Sequence, residues 1–121
     1  MPPIIDVHCH LTSDDFAPDL DDVLARASAA GVTRMICVGE TAADNRAVLD
    51  LARRHESVLA ALGHYPAQLD DAMADETEAL VRASRERIVA LGEVGIDHWI
   101  AKEGPARAHQ HRLFTPFVRL A

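Results

Sequence analysis

The chain has 121 residues, 49 % of them apolar and 26 % charged, which suits one domain with a core of its own. A net charge of −7 argues against a basic surface that coats duplex nucleic acid, though not against a phosphate-handling site whose local field is set by bound cations. There is no basic and apolar leader and no stretch of membrane-spanning length, and Cys9 and Cys37 sit in apolar strand patterns as free thiols, so a cytoplasmic protein is expected.

The first predicted element is the strand Ile4-Ile5-Asp6-Val7-His8-Cys9-His10. Strict alternation puts Ile4, Asp6, His8 and His10 on one face. Ile5, Val7 and Cys9 fall on the other, an apolar face suited to a helix layer. A polar loop, Leu11 to Pro18, leads to a helix carrying Leu20, Val23, Leu24, Ala27 and Ala30 at helical spacing and stopped by Gly31. Residues 34–39 form the second strand. Thr41 and Asp44 then resemble a capping box for a helix that buries Val48, Leu49 and Ala52 and ends near His55. Residues 58–63 form the third strand, and Asp75 is the expected cap of a third helix. The fourth strand covers Ile88 to Gly95, and a loop from Asp97 to Pro105 precedes the last helix. Pro116 interrupts that helix, so Thr115 is expected to cap a short new segment.

This is βα repeated four times. The strands are short and continuously apolar, as parallel strands buried on both faces should be. The periodicity admits an open doubly wound sheet or part of a (β/α)₈ barrel, and no Gly-rich phosphate loop follows the first strand. His8, His10, Glu40, His64 and Glu93 gather at the C-terminal strand ends, where sites form in either architecture.

Imidazoles two apart on a strand are separated by roughly 6.5–7 Å of rise and can swing onto one cation. Burying three polar side chains in phase costs free energy unless they are paired or metal-bound, so a metal site is weighed against a satisfied polar core. Glu93 ends an apolar stripe and competes with the reading of a solvated strand-end carboxylate, while Gly92 and Gly95 leave room for close backbone approach. Asp6 is expected either to orient a ligand imidazole from behind or to make a buried structural hydrogen bond. His109 and His111 have the same spelling as His8 and His10. On a helix, residues two apart diverge by about 200°, so these two and His55 read as surface histidines.

The stretches Ile5-Asp6-Val7-His8-Cys9-His10-Leu11 and Leu91-Gly92-Glu93-Val94-Gly95-Ile96-Asp97, with their separation and the elements between them, resemble the TatD-type metal-dependent deoxyribonucleases. The resemblance implies that residues 1–121 are one partial-barrel domain of four βα units, the N-terminal half of a (β/α)₈ hydrolase barrel about twice as long. It implies two divalent cations, Mg, Mn or Zn, with His8 and His10 on the first and Glu93 bridging to the second. It also implies three further ligands from strands five, six and eight, so half the site is expected here. The implied substrate is DNA or another phosphodiester, cleaved in the manner of a 3'-5' exonuclease.

Two departures concern further catalytic candidates. Gly63-His64-Tyr65-Pro66 shifts the family's histidine by one place, so His64 is a candidate that departs from the family's pattern. Asp97 matches the aspartate after the glutamate motif, and His98 replaces the aromatic beside it. Two rivals remain. An amidohydrolase shares the strand-one histidine pair but commonly has a modified lysine where Glu93 stands. A non-catalytic, truncated metal-binding fragment is the other. The open edges of strands one and four predict self-association.

Overall fold

The computed structural model describes residues 2–121. In chain order the elements are β1 (Ile4–Cys9), α1 (Leu20–Ala29), β2 (Val32–Val38), α2 (Ala42–Arg54), β3 (Val58–Leu62), α3 (Asp71–Ala83), β4 (Ile88–Leu91) and α4 (Gly104–Leu120), with a 3₁₀ turn at Arg85–Arg87 before β4. All strand pairs are parallel and the order is β1-β2-β3-β4. A doubly wound sheet reverses its strand order and puts helices on both faces. Here each unit steps one strand further in the same direction, which is the winding of a barrel. The chain is a (βα)₄ half-barrel.

Stepping in one direction makes the two faces of the sheet unlike. On the helix side, Met35 and Cys37 of β2 and Val58, Ala60 and Leu62 of β3 pack against Val48, Leu49 and Leu51 of α2, Val81 of α3 and Phe117 of α4. The opposite face is open: Val7, which lines it, is 68 % exposed. Burial on both faces, expected from the apolar strands, therefore fails along β1 and β4, because nothing in these residues lies across the concave side.

Local chemistry sets the element ends. Gly31 takes φ +94° and ends α1. The Thr41 hydroxyl accepts from the Asp44 N–H at 3.1 Å, capping α2 as expected. The third helix begins a turn earlier than Asp75 suggested. Asp70 accepts from the Met73 N–H at 3.0 Å, which leaves Asp75 inside the helix. Pro105 sits in the first turn of α4, where its missing N–H costs little. Pro116 starts no new segment, and α4 runs through it to Leu120. Leu113 and Phe117, one turn apart, are both buried, and their packing offsets the lost backbone bond. Thr115 is not a cap, since its hydroxyl donates to the His111 carbonyl at 2.7 Å.

Candidate metal centre

His8, His10 and Glu93 meet at the C-terminal ends of the strands. The Nε2 atoms of the two histidines lie 3.2 Å apart. Oε2 of Glu93 is 3.6 Å from Nε2 of His8 and 3.9 Å from Nε2 of His10. One donor atom from each residue fits within a 4.8 Å cluster open to solvent.

Strand β1 does not alternate strictly. Asp6 pairs with Met35 and Cys9 with Cys37, so β1 carries one residue more than β2 over this stretch. Such a bulge re-aims side chains. Val7 and His8 consequently both line the concave face, and Ile5 and Val7 do not meet a helix layer. Asp6 accepts a hydrogen bond from the His8 backbone N–H at 3.0 Å. It thus holds the peptide at the bulge and acts on the His8 ring through the backbone. Cys9 packs toward the core and donates to the Ile36 carbonyl at 3.4 Å. Its contact with the Cys37 thiol, together with burial, pushes the Cys9 thiol up, so it stays protonated and offers no thiolate to the cluster.

His10 is oriented from behind. Its Nδ1 lies 3.1 Å from the Val38 carbonyl, which can only accept. Nδ1 therefore carries the proton and Nε2 keeps its lone pair for the cluster. Glu40 Oε1 stands 4.0 Å from the same Nδ1, on the side away from the shared centre.

Glu93 has the longest distance to cover. In a flat sheet β1 and β4 would be roughly 14 Å apart. Strand β4 ends at Leu91 instead of continuing to Gly95, and the chain then crosses the strand ends. The Gly92 N–H still donates to Leu62 of β3, at 2.8 Å, but the Glu93 N–H donates to the Gly39 carbonyl beyond β2, at 2.9 Å. The crossing passes directly over Gly63, where a Cβ would overlap the Glu93 peptide. The close approach expected at Gly92 and Gly95 occurs at Gly63: a Cβ on Gly92 would make only an ordinary contact, and one on Gly95 would meet nothing.

His64 and Asp97 are placed elsewhere. His64 is buried, its Nε2 donates to the Gln68 carbonyl at 2.6 Å, and its ring stacks on Phe117. Asp97 accepts from the N–H groups of Trp99 and Ile100 at 2.7 and 3.1 Å, which shapes the loop before α4. His109 is half-buried and bonds Asp71 at 2.8 Å, tying α4 to α3, so it is not the surface residue expected.

The donor set fits a divalent cation. Two imidazole nitrogens and a carboxylate oxygen converge, one tautomer is fixed for ligation, and no thiolate intrudes. The chain's single lysine, Lys102, lies over the Trp99 ring on the loop, which leaves no lysine at strand four for an amidohydrolase-type site. Sequence reasoning missed what the first turn of α2 does beyond capping. Asp44 accepts from the Thr12 hydroxyl at 2.6 Å and from the Glu40 N–H at 3.0 Å, and the adjacent Asn45 is fully buried. The available signal was two polar residues at a helix start where the following apolar spacing called for a core contact.

A family model described as TatD related DNase matches residues 5–121. Deoxyribonuclease TATDN3 of Homo sapiens is 31 % identical over 132 residues, covering 98 % of this chain and 47 % of that protein. The 3'-5' ssDNA/RNA exonuclease TatD of Salmonella typhimurium is 37 % identical over 95 residues, covering 78 % of this chain and 36 % of that protein. The crystal structure of YJJV, a TatD homolog from Escherichia coli k12, superposes with a TM-score of 0.83 at 31 % identity, over 98 % of this chain and 46 % of that one. The chain spans a third to a half of the length of these relatives.

Proposed function

Since the chain belongs to the TatD-related DNase family, we propose that it forms the N-terminal half of a metal-dependent hydrolase that cleaves phosphodiester bonds of DNA from the 3' end. The observation that carries this reading is the convergence of His8, His10 and Glu93. His8 and His10 would hold one divalent cation, Mg, Mn or Zn, and Glu93 would reach a second as well. A cation bound there supplies Lewis-acid polarisation of a phosphoryl oxygen and a water of lowered pKa. The protein's part is to turn the Nε2 atoms of two imidazoles toward one point and to place one carboxylate beside them. Asp6 and the Val38 carbonyl serve that end by fixing the His8 peptide and the His10 tautomer.

Among the described residues no helix is long and apolar enough to cross a membrane, and the reading includes a cytoplasmic location. It also includes closure of the concave face by further strands against β1 and β4. Without them, the 121-residue polypeptide should self-associate through exposed Ile5, Val7 and Val89.

Calorimetric titration with Mn²⁺ tests the metal reading. Saturable binding by the unaltered chain, lost in His8→Ala, is the expected result. No binding by the unaltered chain would overturn it. Because the family's other ligands come from later strands, these residues alone should show no strong turnover of single-stranded DNA. Rapid Mn²⁺-dependent cleavage that disappears in His8→Ala would contradict that expectation.

A further inference from the structure

We propose that Asn45 is a positioning residue for the metal centre: its side-chain amide clamps the backbone over which Glu93 crosses, and so sets where the Glu93 carboxylate stands. The proposal rests on the metal reading above and concerns a residue that touches none of the three donor atoms.

Asn45 follows Asp44 in the first turn of α2 and is fully buried. Its Nδ2 donates to the Gly63 carbonyl at 2.7 Å, and its Oδ1 accepts from the Gly63 N–H at 3.0 Å. A two-point bond of this kind needs a donor and an acceptor on one planar group, which an amide supplies at any pH and a carboxyl only when protonated. It also fixes Gly63 in orientation as well as in position.

Both glycines around the clamp are needed for it. A Cβ on Gly39 would overlap Oδ1 of Asn45, and a Cβ on Gly63 would overlap the Glu93 peptide. The circuit closes because the Glu93 N–H donates to the Gly39 carbonyl and the Gly39 N–H to Ala61, at 2.9 and 3.0 Å. Gly39, Asn45, Gly63 and Glu93 thus form one packed unit. Its outward product is a carboxylate placed beside Nε2 of His8 and of His10. A core amide kept merely to satisfy itself could bond any free backbone pair. This one bonds the glycine that Glu93 lies upon.

Asn45→Asp, assayed at pH 8, separates the two roles, since the ionised carboxylate keeps the shape and the acceptor but turns a second acceptor toward the Gly63 carbonyl. The probe is Co²⁺ alone, followed by its visible absorption on the full chain. Leu49→Ala, a buried neighbour on the same helix, serves as the control for general loss of stability. Asn45→Asp should bind Co²⁺ at least 10-fold more weakly, with a spectrum moving toward that of Glu93→Gln, while Leu49→Ala lowers the melting temperature and keeps both affinity and spectrum. Unchanged affinity and spectrum in Asn45→Asp would overturn the positioning role and leave the metal reading intact. No Co²⁺ spectrum from the unaltered chain would overturn the metal reading itself, and this role with it. Should Asn45→Asp not fold, amide hydrogen exchange on the unaltered chain decides. Coupling is reciprocal, so saturating Zn²⁺ should slow exchange at Gly63 and Glu93 by 10-fold or more, and no slowing at Gly63 would overturn the role.

Discussion

The apolar residues of strands β3 and β1 meet opposite fates. Four of the five residues of Val58–Leu62 are buried, whereas five of the six of Ile4–Cys9 are exposed. Strand β3 has a neighbour on each side and helices beneath it. Strand β1 has one neighbour and an open concave face. Position in the winding, not composition, decides which apolar residues stabilise the fold. The division is also one of labour: the middle of the sheet and its helix face hold the fold together, while the ends of the outermost strands carry the donor atoms.

If that division holds, mutations on the two sides should affect different measurements. The largest effect belongs to the helix side. Phe117→Ala empties a fully buried site shared with His64, and should cost about 3–5 kcal/mol in urea unfolding. On the outer strands, His10→Ala should weaken Mn²⁺ binding on the order of 100-fold, or about 2.8 kcal/mol, yet move stability without metal by less than about 0.5 kcal/mol. Equal losses in both measurements would break the comparison. Asp70→Ala removes the cap of α3 and should cost about 1 kcal/mol, read as a lowered melting temperature with Mn²⁺ affinity unchanged. The smallest effect on stability is expected for Val89→Lys, on the free edge of β4. Unfolding should shift by less than about 0.5 kcal/mol, while sedimentation velocity should show self-association weakened, because a lysine on an edge strand blocks further pairing at that edge and leaves the β1 edge open.

Much of this arrangement could be read from the residues. The βα repeat, the four strands, the Thr41 cap and the stop at Gly31 follow from short-range patterns, and all are found. His8, His10 and Glu93 were singled out by their place at the strand ends and by the two motifs that carry them, and the structure brings one donor atom of each together. What could not be read depends on backbone paths. Alternation assumes an unbroken strand, so it could not foresee the extra residue between Asp6 and Cys9. An apolar run after Ile88 looks like strand throughout, although the chain leaves its neighbour after Leu91. His64 and Asp97 had suitable chemistry for a site, but their partners are loop carbonyl and amide groups that no spacing rule reveals. Pro116 was misjudged because the burial of Leu113 and Phe117 outweighs a local preference.

The passage of Glu93 over Gly63 also bears on folding. The acid stands beside the imidazoles by resting on β2, β3 and the start of α2, so the centre is expected among the last features to form. Closing contacts between distant parts of a chain come late and slowly. A cation that recognises only the finished centre should therefore leave the refolding rate unchanged and act almost wholly by retarding unfolding.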